Sequence, residues 1–276
     1  MPIYLGDKLI SKEYVDSYDT GLLYLGSNIV QGNVDYKVSD LGLVAYYDIA
    51  NSSCYTSGST TIYDLTANNN DMTFNDGVIS YNPNKPGLLT LNNGYAVAIT
   101  TANLPSGSGV TQPSFTYGFW AKYSQFGTQA NVNNAFGFGS QVNGDSGLIA
   151  LTNISSSTDL YFGSTGDAGL SIKAVSTFNT SSWYNIMVSY SGSTDVNASP
   201  GIASVYVNGQ FVNSGSMAVV VSQQGVPISL GVPNGFNANN RGFGFYGDFG
   251  VGYIYNRLMN AKEVEFNYNA QKNRFI

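Results

Sequence analysis

Short runs of aliphatic and aromatic residues, separated by turns rich in Gly, Asn and Ser, fill most of the chain from residue 41 onwards. Alternation of polar and apolar residues with a period of two is typical of β-strands that bury one face. In the stretch WYNIMVSY (183–190), one face is wholly apolar or aromatic and is expected to point into the core; it consists of Tyr184, Ile186, Val188 and Tyr190. Many such strands at spacings of roughly 8 to 15 residues predict an all-β fold, a two-sheet antiparallel sandwich.

The stretch ASVYVNGQFV (203–212) contains the clearest hairpin pattern in the chain. A type I′ turn needs positive φ at both central residues, and Asn208 and Gly209 are residue types that tolerate it. The sequence therefore predicts two neighbouring antiparallel strands that are joined at this pair.

A different period governs the end of the chain. Asn260 and Glu263 have the spacing of a capping box, in which each side chain accepts from a backbone N–H at the start of a helix. An apolar face follows at spacings of three and four residues, Ala261, Val264 and Tyr268. These patterns predict a C-terminal helix of about three turns at most, too short to be stable alone. We expect it to lie across the sandwich with Tyr268 and Phe275 inserted.

The first 39 residues carry an internal repeat. IYLGDKLI (3–10) recurs as LYLGSNIV (23–30), and each copy predicts a small hairpin with Gly at the bend. A lone hairpin of this size buries too little surface to be stable in water, so residues 1–39 are predicted to be an anchor or assembly segment and residues 40–276 the sandwich domain. The alternative is that the copies form edge strands of the sandwich. The predicted assembly interface consists of Tyr4, Leu5, Gly6, Tyr24, Leu25 and Gly26.

Charge and composition argue against nucleic-acid and membrane partners. The net charge is −6, and the eleven Lys and Arg residues form no cluster, so the chain has no electrostatic footprint for nucleic acid. Only 10% of the residues are charged, which suits packed interfaces, and we expect a homo-oligomer. No apolar run approaches the roughly 20 residues of a membrane span, so no membrane partner is expected. The first residues lack the features of a signal peptide.

The residues that most nucleophilic enzymes use are scarce. His is absent and Cys54 is the only cysteine. This composition excludes Ser-His and Cys-His catalytic systems, zinc sites with His ligands and any intrachain disulfide.

The succession of strands and the closing segment resemble laminin-G-like domains of the concanavalin A-like lectin/glucanase superfamily, over about residues 40–275. In that family the last core strand often ends in Ile-Tyr-Asn-Arg and is followed by a Glu-containing helix; residues 254–257 and Glu263 match this pattern. The upstream segments that match, in order, are GLVAYYDIANSSCY, TIYDLTANNNDMTF, SFTYGFWAKY, SSWYNIMVSY and ASVYVNGQFV. The resemblance implies a concanavalin A-like fold, an all-β two-sheet antiparallel jelly-roll sandwich that is closed by a short C-terminal helix.

The superfamily includes glycosidases, which need two carboxylates close together on a strand. A retaining pair requires carboxyl groups about 5 Å apart. The glutamates of this chain lie outside the predicted sandwich strands, so we predict that the protein is not an enzyme; they are Glu13, Glu263 and Glu265. Many family members also carry an acidic residue shortly before Ile-Tyr-Asn-Arg. Here residues 249–252 contain none and Asp248 is the nearest carboxylate, so we expect no cofactor, with Ca²⁺ in the loops 68–71 or 143–147 as the open alternative.

The tail from Asn267 to Phe275 resembles variants that are common in structural proteins of tailed bacteriophages, and the Tyr-Leu-Gly repeat resembles the start of such virion proteins. The resemblance implies a non-enzymatic virion structural protein, a capsid-decorating, fibre or tail component that is assembled in the host cytoplasm with other virion proteins. The alternative is a carbohydrate-binding adhesin module. Its candidate glycan contacts combine an aromatic ring with amide and guanidinium donors in the loop 231–244: Phe236, Asn237, Asn240 and Arg241.

Overall fold

The computed structural model of the chain has two antiparallel sheets packed face to face, with a C-terminal helix on the outside of one of them. The structure describes residues 38–84, 86–98, 102–105, 111–125, 133–138, 178–195, 199–217, 228–231 and 245–276. It also describes the backbone of the strands 3–5, 8–10, 23–25, 28–31, 149–153, 160–163 and 172–174.

The described strands and the helix have the following bounds. In the N-terminal part they are β1 (Ile3–Leu5), β2 (Lys8–Ile10), β3 (Leu23–Leu25), β4 (Asn28–Gln31), β5 (Leu43–Asp48), β6 (Thr61–Ile62), β7 (Met72–Asn82), β8 (Leu88–Ala98) and β9 (Phe115–Tyr123). They continue with β10 (Asn133–Phe138), β11 (Ile149–Asn153), β12 (Leu160–Gly163), β13 (Ile172–Ala174), β14 (Tyr184–Ser191), β15 (Gly201–Val207), β16 (Gln210–Met217), β17 (Ile228–Leu230), β18 (Phe245–Tyr255) and α1 (Ala261–Phe275).

The described strands form a front sheet in the order β16-β15-β14-β9-β18 and a back sheet in the order β8-β17-β10-β11-β12-β13. Strand β7 pairs with β8, and β6 pairs with β7. On the far side of β18, residues 245–249 pair with β8 and residues 251–255 pair with β5. Strand β8 belongs to both sheets, because residues 89–94 pair with β18 and residues 96–98 pair with β17. The two-sheet antiparallel sandwich that the sequence predicts is therefore confirmed.

The core between the sheets is built from aromatic side chains that alternate along the strands. Phe136 of the back sheet stacks on Phe249 of the front sheet, with ring centroids 5.7 Å apart. The predicted inward face of β14 is confirmed: Tyr184, Ile186, Val188 and Tyr190 are buried in this core. The inward face of β9 follows the same period of two, Phe115, Tyr117, Phe119, Ala121 and Tyr123.

The turn between β15 and β16 has the predicted type I′ geometry. Its φ angles are 51° at Asn208 and 75° at Gly209. The Oδ1 atom of Asn208 accepts from the backbone N–H of Asn185 at 2.9 Å, which ties the turn to β14. A side chain at Gly209 would meet the Tyr268 ring of the helix at 2.9 Å, so glycine lets the helix approach the turn.

The outer face of the front sheet is buried as well over β9, β14 and β18, beneath α1. Trp120 is fully buried there, and its ring stacks on Phe275 at a centroid distance of 4.5 Å and on Tyr268 at 5.7 Å. The Nε1 atom of Trp120 donates to Oε1 of Gln271 at 2.8 Å. The predicted insertion of Tyr268 and Phe275 is confirmed, and Trp120 is the residue that receives both rings.

The helix begins as the sequence predicts. The Oδ1 atom of Asn260 accepts from the backbone N–H groups of Lys262 at 2.9 Å and Glu263 at 3.1 Å. In return, Oε2 of Glu263 accepts from the N–H of Asn260 at 2.8 Å, which completes the capping box. With 15 residues the helix has about four turns and is longer than predicted.

The predicted apolar face of the helix is wrong in part. Ala261 is exposed, and most of the buried face is polar. Polar residues are tolerated there because the sheet supplies their partners; for example, Nδ2 of Asn267 donates to the hydroxyl of Tyr255 at 2.9 Å. The buried residues of the helix are Val264, Asn267, Gln271, Arg274 and Phe275.

An ion pair fixes the last turn of the helix to β5. The guanidinium of Arg274 donates to both carboxylate oxygens of Asp48, at 2.8 Å and 2.6 Å, and also to the carbonyl of Pro86. Only 2% of the Arg274 side chain and 13% of the Asp48 side chain are exposed. Bidentate pairs in such surroundings are specific in geometry, so this pair fixes the position of the last turn relative to β5.

We predict that Arg274→Met lowers the free energy of unfolding by about 3 kcal/mol, because it leaves the Asp48 carboxylate shielded and without its cation. The double variant Asp48→Asn/Arg274→Met should be more stable than the single variant, since no uncompensated charge remains. Urea unfolding measures both. Lys272→Met is the matched control, because this ammonium lies over the exposed side of Tyr268; its effect should stay within about 0.5 kcal/mol. The prediction would be contradicted if the double variant lost as much free energy of unfolding as the single variants Asp48→Asn and Arg274→Met lose together.

We also predict that the protein unfolds in alkali together with the ionisation of its buried tyrosines. Burial raises the pKa of Tyr117, Tyr123, Tyr253 and Tyr255 above the ordinary value of tyrosine. The folded state therefore keeps protons that the unfolded chain releases above about pH 10, so stability is fully present below that pH and is lost as the pH rises. Tyrosinate absorbance and circular dichroism should change together. Complete tyrosine ionisation with an intact sheet spectrum would refute this.

Candidate functional site

The repeated N-terminal segment forms two hairpins. Strand β1 pairs with β2, with Tyr4 opposite Leu9, and β3 pairs with β4, with Tyr24 opposite Ile29. Among the described residues, these four strands pair with no strand of the sandwich.

The hairpins hold four of the six residues predicted to form an assembly interface. Leu5 and Leu25 end β1 and β3, directly after Tyr4 and Tyr24, so both copies of the motif occupy the same position in their hairpins. Gly6 and Gly26 lie outside the described residues. The role of this segment in assembly stays a prediction, as does its boundary with the sandwich at residue 39.

The predicted glycan loop falls in a part of the chain that the structure leaves undescribed. Residues 232–244 are outside the described ranges, and they include all four candidate contacts, Phe236, Asn237, Asn240 and Arg241. Their proposed role in glycan binding is therefore neither confirmed nor contradicted.

The carboxylates near the loop 68–71 hold the backbone together. Asp64 accepts four hydrogen bonds, from the backbone N–H groups of Tyr46, Thr66 and Asn70 and from the Thr66 hydroxyl, at 2.8 to 3.0 Å. Asp71 in turn accepts from the N–H of Asp64 at 2.8 Å. Oxygens that are saturated by backbone donors are poor ligands for a cation, so the geometry of this loop favours a structural role.

The surroundings of Asp248 and Cys54, two further candidate reactive groups, also favour a structural role. Asp248 accepts from the hydroxyl of Thr90 at 2.7 Å across β18 and β8. Cys54 is buried, and desolvation raises the pKa of its thiol far above the ordinary range, so it is a poor nucleophile. Within the described ranges no group of three or more Cys, Asp or Glu side chains is arranged to hold a metal ion. Residues 143–147 of the second predicted cation loop are not described.

The described helix is not long and apolar enough to cross a membrane.

One exposed surface combines apolar and polar side chains in register, and we call it the β15–β16 strip. Three cross-strand pairs form it on the helix side of the front sheet: Ile202 with Ser216, Ser204 with Ser214, and Tyr206 with Phe211. Ile202 is 52% exposed and Phe211 is 56% exposed, although both are large and apolar. The Phe211 ring packs edge to face against the ring of the buried Tyr206, at a centroid distance of 5.8 Å.

Sequence reasoning identified the hairpin that carries the strip but missed the strip. Ile202 lies on the opposite face of β15 from the core residues Ala203 and Val205, and an apolar residue type at 202 or 211 does not by itself indicate exposure. The available signal was the composition of the neighbouring positions. Small hydroxyl residues at 204, 214 and 216 indicate a face that no core covers.

Comparison with solved structures finds similar sandwiches at low sequence identity. Domain 4 of AbnA, a GH43 extracellular arabinanase from Geobacillus stearothermophilus solved in complex with arabinotriose, is 20% identical with a TM-score of 0.55, covering 82% of this chain and 98% of the domain. The botulinum neurotoxin type G receptor binding domain is 17% identical with a TM-score of 0.53, covering 83% of this chain and 51% of that one. Trypanosoma rangeli sialidase in complex with sialic acid is 17% identical with a TM-score of 0.54, covering 84% and 33%.

These identities establish a shared fold and nothing more specific. The chain spans about half of the neurotoxin domain and a third of the sialidase. A search of curated protein sequences finds no match. Residues 92–265, more than half of the chain, match the family model Laminin_G_3, which is described as the concanavalin A-like lectin/glucanases superfamily. The match begins within β8 and ends within α1, of which it includes the first five residues. The chain belongs to the concanavalin A-like lectin/glucanase superfamily.

Proposed function

We propose that the protein is a non-enzymatic virion structural protein of a tailed phage, attached to the capsid, tail or fibre through its N-terminal hairpins and displaying the sandwich outward. The observation that carries the proposal is the pairing of the hairpins. Among the described residues, each hairpin strand pairs only with the other strand of its own hairpin. Because a two-stranded hairpin is marginally stable in water by itself, these strands need a docking partner, either a sister subunit or another virion protein.

The side chains of the described sandwich are consistent with a domain that is displayed on the virion and has no catalytic role. Its best-connected carboxylates, Asp48 and Asp64, are engaged by Arg274 and by backbone N–H groups, so they serve the fold. Only 10% of the chain is charged, a composition that suits close packing with neighbouring subunits. The tailed-phage setting rests on the resemblance of the Tyr-Leu-Gly repeat and of residues 267–275 to virion proteins.

Removal of residues 1–37 tests the attachment. Val38 and Ser39 should be kept, because Val38 is buried under the helix and the N–H of Ser39 donates to Asn267 at 3.0 Å. We predict that the truncated protein melts within a few degrees of the full chain, sediments and scatters light as a monomer, and no longer joins particles. The full chain should be an oligomer or a particle component. A truncated protein that still assembles like the full chain would overturn the proposal.

A second candidate is a carbohydrate-binding adhesin module that recognises host or environmental glycans. The observation that favours it is the β15–β16 strip, where an exposed aromatic ring, Phe211, is accompanied by serine hydroxyls. Aromatic faces with a few hydrogen-bonding groups are suited to the C–H faces and hydroxyls of sugars. The similar sandwich from the arabinanase was solved with arabinotriose, which makes a sugar ligand on this fold a reasonable expectation.

A glycan array with the full chain tests this second function. We predict binding to at least one class of neutral glycan, which calorimetric titration with the same soluble glycan should reproduce. The truncated protein should bind equally, since the strip lies in the sandwich. No binding on the array and in titration would count against glycan recognition while leaving the structural role intact.

A further inference from the structure

The spacing of the β15–β16 strip suits an elongated polar ligand with apolar faces. Ile202 and Phe211 lie at its two ends, and Ser204 and Ser214 face each other between them. From Ile202 to Tyr206 the strand rises by about 14 Å at about 3.4 Å per residue, the length of a short oligosaccharide. A sugar chain offers C–H patches and hydroxyls in alternation, so its ends would contact the apolar side chains and its middle the hydroxyls.

One flank of α1 stands beside the strip. The ring of Tyr268 approaches Gly209, in the turn that joins β15 and β16, so this flank of the helix faces the two strands. Glu265 lies three residues before Tyr268 and shares the flank, since residues three and four apart are neighbours on a helix. Glu265 is exposed, and Ala261 one turn further back is small and exposed, which leaves room next to the strip.

A protein partner fits this surface less well than a small ligand does. A stable interface buries about 800 Å² on each side and has a continuous apolar centre. On the strip the exposed apolar groups are two single side chains, Ile202 and Phe211, which the Ser204–Ser214 pair separates. Sugars are recognised over smaller areas by one or two aromatic or aliphatic contacts with hydrogen bonds around them.

We propose that the β15–β16 strip and the adjoining flank of α1, around Glu265, form the binding site for a neutral oligosaccharide. The inference rests on the second function proposed above and names its site and ligand class. The strip contains no Lys or Arg, and on the flank next to it the negative charge of Glu265 is balanced by Lys272, whose Nζ lies 5.7 Å from the centroid of the Tyr268 ring. The net charge of the chain is −6. Sialylated and other anionic glycans are therefore disfavoured, while a carboxylate accepts readily from sugar hydroxyls.

Calorimetric titration of the full-length protein with maltotriose, cellotriose, chitotriose and arabinotriose, and with sialyllactose as the anionic probe, tests the proposal. We expect one neutral trisaccharide to bind and Phe211→Ala to weaken it about tenfold, as the loss of an aromatic contact does. In the double variant Phe211→Ala/Ile202→Ser, the remaining heat of binding should disappear. Tyr63→Ala is the matched control, because it removes a ring that is 48% exposed and lies in the loop after β6. This variant should change the affinity less than about twofold.

The possible results distinguish failure of the strip as the binding site from failure of glycan recognition as a function. Thermal unfolding of every variant verifies that the sandwich is intact, since Phe211 and Ile202 are both largely exposed. Binding that Phe211→Ala leaves unchanged overturns the strip as the site but keeps glycan recognition. Sialyllactose that binds more tightly than every neutral trisaccharide overturns the ligand class. Absence of binding by all the probes overturns both the site and the second function.

Discussion

The central strands of the front sheet, β9, β14 and β18, are buried on both of their faces, and the rest of the structure depends on how the second face is closed. Their outward positions carry aromatic and polar groups, such as Trp120 and Tyr255, that are fully buried. A buried polar group without a partner costs about 1–3 kcal/mol, so an apolar helix alone would be a poor cover. The helix instead supplies Gln271 for the indole of Trp120 and Asn267 for the hydroxyl of Tyr255. Directional bonds therefore fix where α1 lies, and the stacking of Phe275 and Tyr268 on Trp120 adds apolar burial.

The position of the helix determines which surfaces are left for function. It covers the outer face of β9, β14 and β18, ends at β5 through Arg274, and reaches the turn at Gly209 through Tyr268. The outer face of β15 and β16 lies beyond that cover, which explains why Ile202 and Phe211 are exposed there. Attachment and recognition therefore use separate parts of the chain in this account. We propose the N-terminal hairpins for attachment and the strip beside α1 for recognition.

The features that could be predicted from the sequence are those that depend on residues close together in the chain. The inward face of β14, the type I′ turn at Asn208 and the capping box at Asn260 each follow from residues close together in the chain, and all three are confirmed. The polar face of α1 could not be predicted this way, because Gln271 and Arg274 are matched by partners 151 and 226 residues away. The strip was missed for a related reason: whether an alternating residue is buried depends on where the helix ends. The repeat did predict the hairpins, while their interface role stays a prediction.

The claim on which the account depends is that the N-terminal hairpins are completed by a partner and not by their own sandwich. Amide hydrogen exchange of the full chain, measured once as a dilute monomer and once in its assembled form, tests this most directly. The account predicts that the amides of β1 to β4 exchange quickly in the monomer, because a lone hairpin opens readily, and become protected on assembly. The amides of β9, β14 and β18 should be protected in both states. Hairpin amides that are as protected as those of β9 in the monomer would contradict the account, since the hairpins would then belong to the sandwich itself.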